Sequence, residues 1–153
     1  MVSSVSLSDS SWGSLPHKLE AGTPNISGVI GLGEAIRFIE SYGFEKIYAK
    51  ENELSKYMAA QLNQIPDLTH YGNHGNGVPI FSFNVNGLHH YDVASLFGEN
   101  KVFIRSGHLC NQTLMAHLGI EGCLRASLCF YNNSSEIDQF IIVLKKIIAL
   151  LKK

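Results

Sequence analysis

Cysteine is scarce in this chain, with three in 153 residues and none spaced Cys-x-x-Cys. An odd count without that spacing argues against a disulfide framework and against a zinc knuckle. Charge is equally thin: 16% of residues are Asp, Glu, Lys or Arg, and the net charge is −1. No basic block exists, so the electrostatic footprint of a nucleic-acid binder is missing. No run approaches the ~20 apolar residues needed to cross a bilayer. The Ser-rich start, Met1 to Trp12, has neither a charged n-region nor an apolar h-region, so it does not read as a signal peptide. The expected compartment is a reducing cytoplasm, where the Asn-x-Ser/Thr triplets at Asn25, Asn111, Asn132 and Asn133 carry no glycan. The glycines at 28, 31 and 33 do not spell GxGxxG and follow no strand, so they suit close helix packing. A GxSxG elbow is absent. His70, His74, His89, His90 and His108 show no i, i+4 pairing on a helix of the kind a zinc protease uses, and no metal site is expected.

What is present is enough apolar material, 45% of the chain, for one domain with a sizeable core. Residues 1–27 read as an extended arm ending in the turn-forming run Glu20-Ala-Gly-Thr-Pro-Asn25. A helix is expected from Ser27, carrying Val29, Leu32, Ile36 and Ile39 at helical spacing and stopping near Gly43. A second runs over about 44–64. Strands are expected at 68–71, 79–85, 102–105 and 124–131, with short helices at 89–97 and 111–118 between them. The last helix is the clearest element. Asn133 and Ser134 can cap it, and Ile137, Phe140, Ile141, Leu144, Ile147, Ile148 and Leu151 form one stripe. This order predicts an α/β (α+β) layer of helices on a small mixed or antiparallel sheet.

The chemistry concentrates in Arg105-Ser-Gly-His-Leu-Cys110 and, fifteen positions on, Arg125-Ala-Ser127. A thiolate is a strong nucleophile and is favoured by nearby cations. An Arg fork grips a carboxylate in two places. The pattern suggests a nucleophilic Cys110 beside a carboxylate substrate, with His108 as an accessory group. On spacing alone, a bystander thiol in a loop explains Cys110 equally well. Cys123 and Cys129 flank or lie in a strand, where a buried, inert role is expected.

Several segments, taken in order, resemble the C-terminal part of class V pyridoxal-phosphate (PLP) enzymes of the cysteine desulfurase and selenocysteine lyase group. They are Lys18-Leu-Glu-Ala-Gly-Thr-Pro-Asn-Ile-Ser-Gly28 and Gly31-Leu-Gly33, then Gly87-x-His89-x-x-Asp92-Val93. Arg105-Ser-Gly-His108-x-Cys110 with Gln112 and Leu114-Met115, and Arg125-Ala-Ser127 before Tyr131-Asn132, complete the set. The resemblance implies the small C-terminal domain of the fold-type I PLP-dependent transferase fold over 28–153, preceded by the 1–27 arm with its Gly-Thr-Pro turn. It implies that Cys110 takes sulfur or selenium from L-cysteine or L-selenocysteine as a persulfide. Arg125 becomes the main carboxylate clamp and Arg105 a lesser one. Thr23 becomes the residue that reaches the cofactor phosphate of a neighbouring subunit in a homodimer.

The departures are as informative. The family's Schiff-base lysine, in a Ser-x-His-Lys motif of the large domain, has no counterpart here. Nor do the aspartate and histidine that hold the cofactor ring. Met1 falls where a full-length member has an internal residue, so the chain reads as a fragment lacking the large domain. Leu19 replaces a Phe, Leu109 a second His before the Cys, and Thr113 a Pro. The resulting expectation is that no PLP is bound covalently and that activity needs the missing large domain or its split half, with a sulfur-acceptor protein as a further partner. The alternative is a stand-alone binding or sulfur-accepting module, or another class V aminotransferase-type activity.

Overall fold

The computed structural model describes residues 1–72 and 77–152. His74 and Lys153 thus fall outside the described residues. The chain divides into two compact units, Met1–Gly43 and Phe44–Lys153.

In the first unit the N-terminal arm pairs with itself. Strands β1 (Val2–Val5) and β2 (Ser10–Trp12) form an antiparallel hairpin, followed by a 3₁₀ turn at His17–Leu19. Helix α1 (Ile26–Tyr42) starts one residue before the expected position. Its N-cap is Asn25, whose side chain accepts a hydrogen bond from the Gly28 amide at 3.0 Å. It ends at Gly43, where φ of +95° suits a residue without Cβ. No residue of α1 is buried.

The second unit holds the core. Helix α2 (Phe44–Leu62) leads to β3 (Leu68–Tyr71) and β4 (Ile80–Val85). Helix α3 (His90–Glu99), β5 (Arg105–Gly107), α4 (Gln112–Leu118), β6 (Cys123–Ser127) and α5 (Ser134–Leu151) follow. The sheet order is β3-β4-β6-β5, antiparallel throughout. On one face Phe81, Phe83, Val85, Leu124 and Ala126 join Leu54, Met58 and Leu62 of α2, Val93 and Phe97 of α3, and the α5 stripe. Phe140 of α5 stacks on Phe97 with centroids 5.0 Å apart and meets Phe83 edge-on at 6.2 Å, tying helix, helix and strand together. Helix α5 begins with a reciprocal cap: the Glu136 amide donates to Asn133 Oδ1, and the Asn133 amide donates to Glu136 Oε2.

Two expected strands are displaced. The apolar run Val102-Phe-Ile104 lies outside β5, which starts at Arg105. Phe103 is exposed there, while Val102 and Ile104 pack against the core from a non-strand segment. Strand β6 ends at Ser127, so Cys129 lies beyond it and is half-buried. The Cys129 amide instead donates to Asn132 Oδ1 at 2.8 Å, closing a turn before α5. Its expected strand burial is therefore incorrect, whereas Cys123 is buried as expected.

Candidate active site

The sheet face away from the core carries a polar row. Register pairs Tyr71 with Ser82, Ser82 with Arg125, and Arg125 with Arg105, one residue from each strand in turn. Side chains at paired positions share a face. Arg105 and Arg125 are thus direct cross-strand neighbours, and like charges so placed repel. Arg125 is half-buried, and its Nε is buried without a hydrogen-bond partner among the described residues. A buried donor without an acceptor is unfavourable by about 1–3 kcal/mol. An anion that accepted from both guanidinium groups would relieve both costs.

The thiol stands beside this row. After β5 the chain turns through His108, Leu109 and Cys110, and the Asn111 amide donates back to the His108 carbonyl at 2.9 Å. Leu109 and Cys110 have φ of +54° and +61°. Two consecutive side-chain-bearing residues in the left-handed region are costly, on the order of 1–2 kcal/mol each. Such strain persists where the surroundings fix it, and it gathers at functional sites. Asn111 then caps α4, its side chain accepting from the Leu114 amide at 3.2 Å.

Two cavities flank the turn. One of about 620 Å3 is lined by Arg105, His108, Cys110 and Gln112 among others. The other, about 410 Å3, is lined by Tyr71, Ser82, Leu109, Met115, Cys123 and Arg125. Leu109 and Asn111 line both, so the turn is the wall between them. Arg105, His108 and Cys110 are therefore brought together, and Arg125 is joined to them through the shared strand register and wall. Cys110 is exposed. Cys123 is buried, and that burial pushes its thiol above the usual range, with the Arg125 charge pulling the other way. Thr23 belongs to the N-terminal unit, in an exposed turn next to Gly22 at φ +81°. Among the described residues no group of three or more His, Cys, Asp and Glu could hold a metal ion. No helix there is long and apolar enough to cross a membrane.

Sequence reasoning missed Tyr71 and Ser82. The signal was available: Phe81, Phe83 and Val85 alternate into the core, which forces Ser82 and Asn84 onto the opposite face with Arg125.

Comparison with known proteins places these residues in context. The aminotransferase class-V family model matches residues 1–140. A cysteine desulfurase of Salmonella agona is 41% identical over 152 residues, covering 99% of this chain. The chain spans 37% of that relative's length. A cysteine desulfurase from Thermococcus onnurineus superposes with a TM-score of 0.83 at 37% identity, covering 97% of this chain and 37% of the other. A cysteine desulfurase from Escherichia coli gives 0.84 at 32% identity, with 98% and 37% covered.

Proposed function

The chain belongs to the aminotransferase class-V family, and we propose that it supplies the carboxylate grip and the sulfur-accepting thiol of a cysteine desulfurase-type reaction. The observation that carries this reading is the Arg105–Arg125 pair, set side by side on the sheet face away from the core with an exposed thiol on the adjoining turn. The two forks orient an amino-acid carboxylate. With a cofactor bound, the Cys110 thiolate would attack the substrate's sulfur: an S–S bond forms, the C–S bond breaks, the carbon keeps the electron pair and takes a proton so that L-cysteine leaves as alanine, and Cys110 holds the sulfur as a persulfide. Tyr71 and Ser82, in the same row, line the cavity beside Arg125 and shape the space for the rest of the substrate. L-Selenocysteine presents the same carboxylate and fits the same grip.

Pyridoxal phosphate, when bound, supplies the sink for the electron pair left on carbon. The residues around Cys110 fit the substrate rather than that cofactor: neither flanking cavity is lined by a lysine. No step is therefore assigned to the cofactor here. Covalent attachment to this chain is not expected, and Thr23 is its candidate contact to a phosphate across a homodimer. The same lack of a lysine favours a second reading, a sulfur-accepting module that relies on another polypeptide for C–S cleavage.

Treatment of the chain with a low-molecular-weight persulfide donor, followed by peptide mass mapping, tests the thiol assignment. Cys110 is expected to be persulfidated first, with Cys123 slowest because its burial blocks access and disfavours the thiolate. Labelling of Cys129 at the same rate as Cys110 would overturn the assignment. The grip is tested by titrating L-alanine into the chain while following Arg125 by NMR. Arg125→Lys keeps the charge and loses the fork, and should weaken binding severalfold.

A further inference from the structure

His90 stands out as a buried imidazole with no part in the carboxylate grip. It is 6% exposed, and its Nδ1 is buried with no hydrogen-bond partner among the described residues. It opens helix α3 and lies against Gly122, which in turn abuts Gly107 at the root of the Cys110 turn. A Cβ added to Gly122, just before β6, would stand 2.6 Å from His90 Nε2. The same Cβ would stand 2.9 Å and 3.0 Å from the carbonyl carbon and Cα of Gly107, the last residue of β5. Gly107 lies at φ +103°, and a Cβ there would meet the Tyr91 hydroxyl oxygen at 2.9 Å. Two glycines thus face each other in close contact, and the His90 and Tyr91 rings rest on them. His108 follows Gly107 directly, and Cys110 comes two residues later.

We infer that His90 is a positioning residue for Cys110: as a neutral imidazole seated on the Gly107–Gly122 contact, it fixes the root of the 108–110 turn. The functional meaning rests on the reading of Cys110 as the sulfur acceptor, whereas the seat itself does not.

The charges around the ring make the seat dependent on protonation. His89, on the same helix, stacks on His90 with centroids 4.5 Å apart and accepts from the Tyr91 amide through Nδ1 at 3.3 Å. Asp92 is on that helix as well. His108 faces His90 from the turn after β5, and Glu121 from the segment before β6. Glu121 also lies 3.7 Å from His89 Nε2. Burial holds the His90 pKa below the usual histidine value; His89 and His108 act in the same direction, against Glu121 and Asp92. A histidine lowered in the folded state binds fewer protons there than when unfolded. Its seat is therefore fully stable above the ordinary value near 6.5 and weakens as pH falls through it, until the folded group itself protonates. Protonation would place a cation against His89 and His108 and leave it without a hydrogen-bond acceptor at Nδ1.

Hydrogen–deuterium exchange of the full chain between pH 7.5 and 5, corrected for intrinsic rates, reads the seat directly. Protection of residues 105–111 should fall by up to about tenfold per pH unit through the titration. Protection there that does not change with pH overturns the inference. In His90→Gln, which fills much of the space and does not titrate, the acid-dependent loss at 105–111 should vanish. Its persistence there also overturns the inference. Should that variant not fold, NMR of the unsubstituted chain decides. The Gly107 and Cys110 amide shifts must titrate with the His90 ring, and titration with the His89 or His108 ring instead refutes the assignment. No arm measures sulfur transfer. A Cys110 that takes no persulfide leaves these outcomes intact, and a turn indifferent to His90 leaves the sulfur-accepting reading intact.

Discussion

Helices α1 and α5 are nearly the same length, 17 and 18 residues, and both are rich in Ile, Leu and Val, yet they end in opposite circumstances. Seven residues of α5 are buried, and none of α1 is. Val29, Ile30, Leu32, Ile36 and Phe38 of α1 are all exposed. Their chemistry is as suited to a core as that of Ile137 or Leu144. Periodic apolar sequence thus records a demand for burial, and whether the demand is met depends on what packs against the face. In α5 the sheet, α2 and α3 meet it.

The sharpest way to break the comparison is to delete the same kind of side chain from each helix. Leu144 is fully buried, and Leu144→Ala should destabilise the chain by about 2–5 kcal/mol. Leu32→Ala removes the same atoms from a residue 62% exposed and should stay within roughly 0.5 kcal/mol. Urea denaturation of both variants gives the answer. Comparable losses would mean that the α1 face is buried in solution.

An uncovered apolar face also predicts association. Exposed patches of several hundred Å2 draw proteins together. The chain should sediment as more than a monomer at micromolar concentration, and Leu32→Glu with Ile36→Glu should return it to a monomer. A chain that is monomeric across that range, with no binding of an apolar-surface dye, would remove α1 as an adhesive face.

The same contrast separates the features legible in the amino-acid sequence from those that are not. The Asn133 cap of α5, the helix boundary at Gly43 and the α5 stripe from Ile137 to Ile148 are local signals and appear where expected, whereas Leu151, the last residue of the expected stripe, is exposed. The motif Arg105 to Cys110 with Arg125 is legible because its residue types are chemically distinctive. The illegible features are relational. The run Val102-Phe-Ile104 has strand composition but joins no ladder among the described residues, since the ladder to β6 is made by Arg105, Ser106 and Gly107. Cys129 reads as strand because Leu128 to Tyr131 is β-rich, but Asn132 turns the chain there. Nothing in the sequence around His90 announces Gly122, 32 positions away and in van der Waals conflict with any Cβ.

The smallest test compares the two caps, because the end of each helix repeats the fate of its face. Asn133 and Asn25 both accept a backbone amide at their helix start, at 3.1 Å from Glu136 and 3.0 Å from Gly28. Chemically they are the same device, and losing one is worth about 1 kcal/mol to the helix it starts. What that loss disturbs differs. Helix α5 is welded into the core through Phe140 and Leu144, so a frayed first turn is felt by the cooperative unit; Asn133→Ala should lower the urea midpoint by about that 1 kcal/mol. The Glu136 half of the reciprocal cap survives that change, because the backbone amide at 133 and Asn132 Nδ2 still donate to Glu136 Oε2, so Glu136→Ala should cost a further fraction of a kcal/mol in the Asn133→Ala background. No residue of helix α1 is buried, so fraying of its first turn exposes no core side chain. Asn25→Ala should therefore reduce helical circular dichroism slightly while the urea midpoint stays within roughly 0.2 kcal/mol, less than the usual scatter of surface substitutions. A midpoint loss equal to that of Asn133→Ala would show that α1 unfolds together with the core after all.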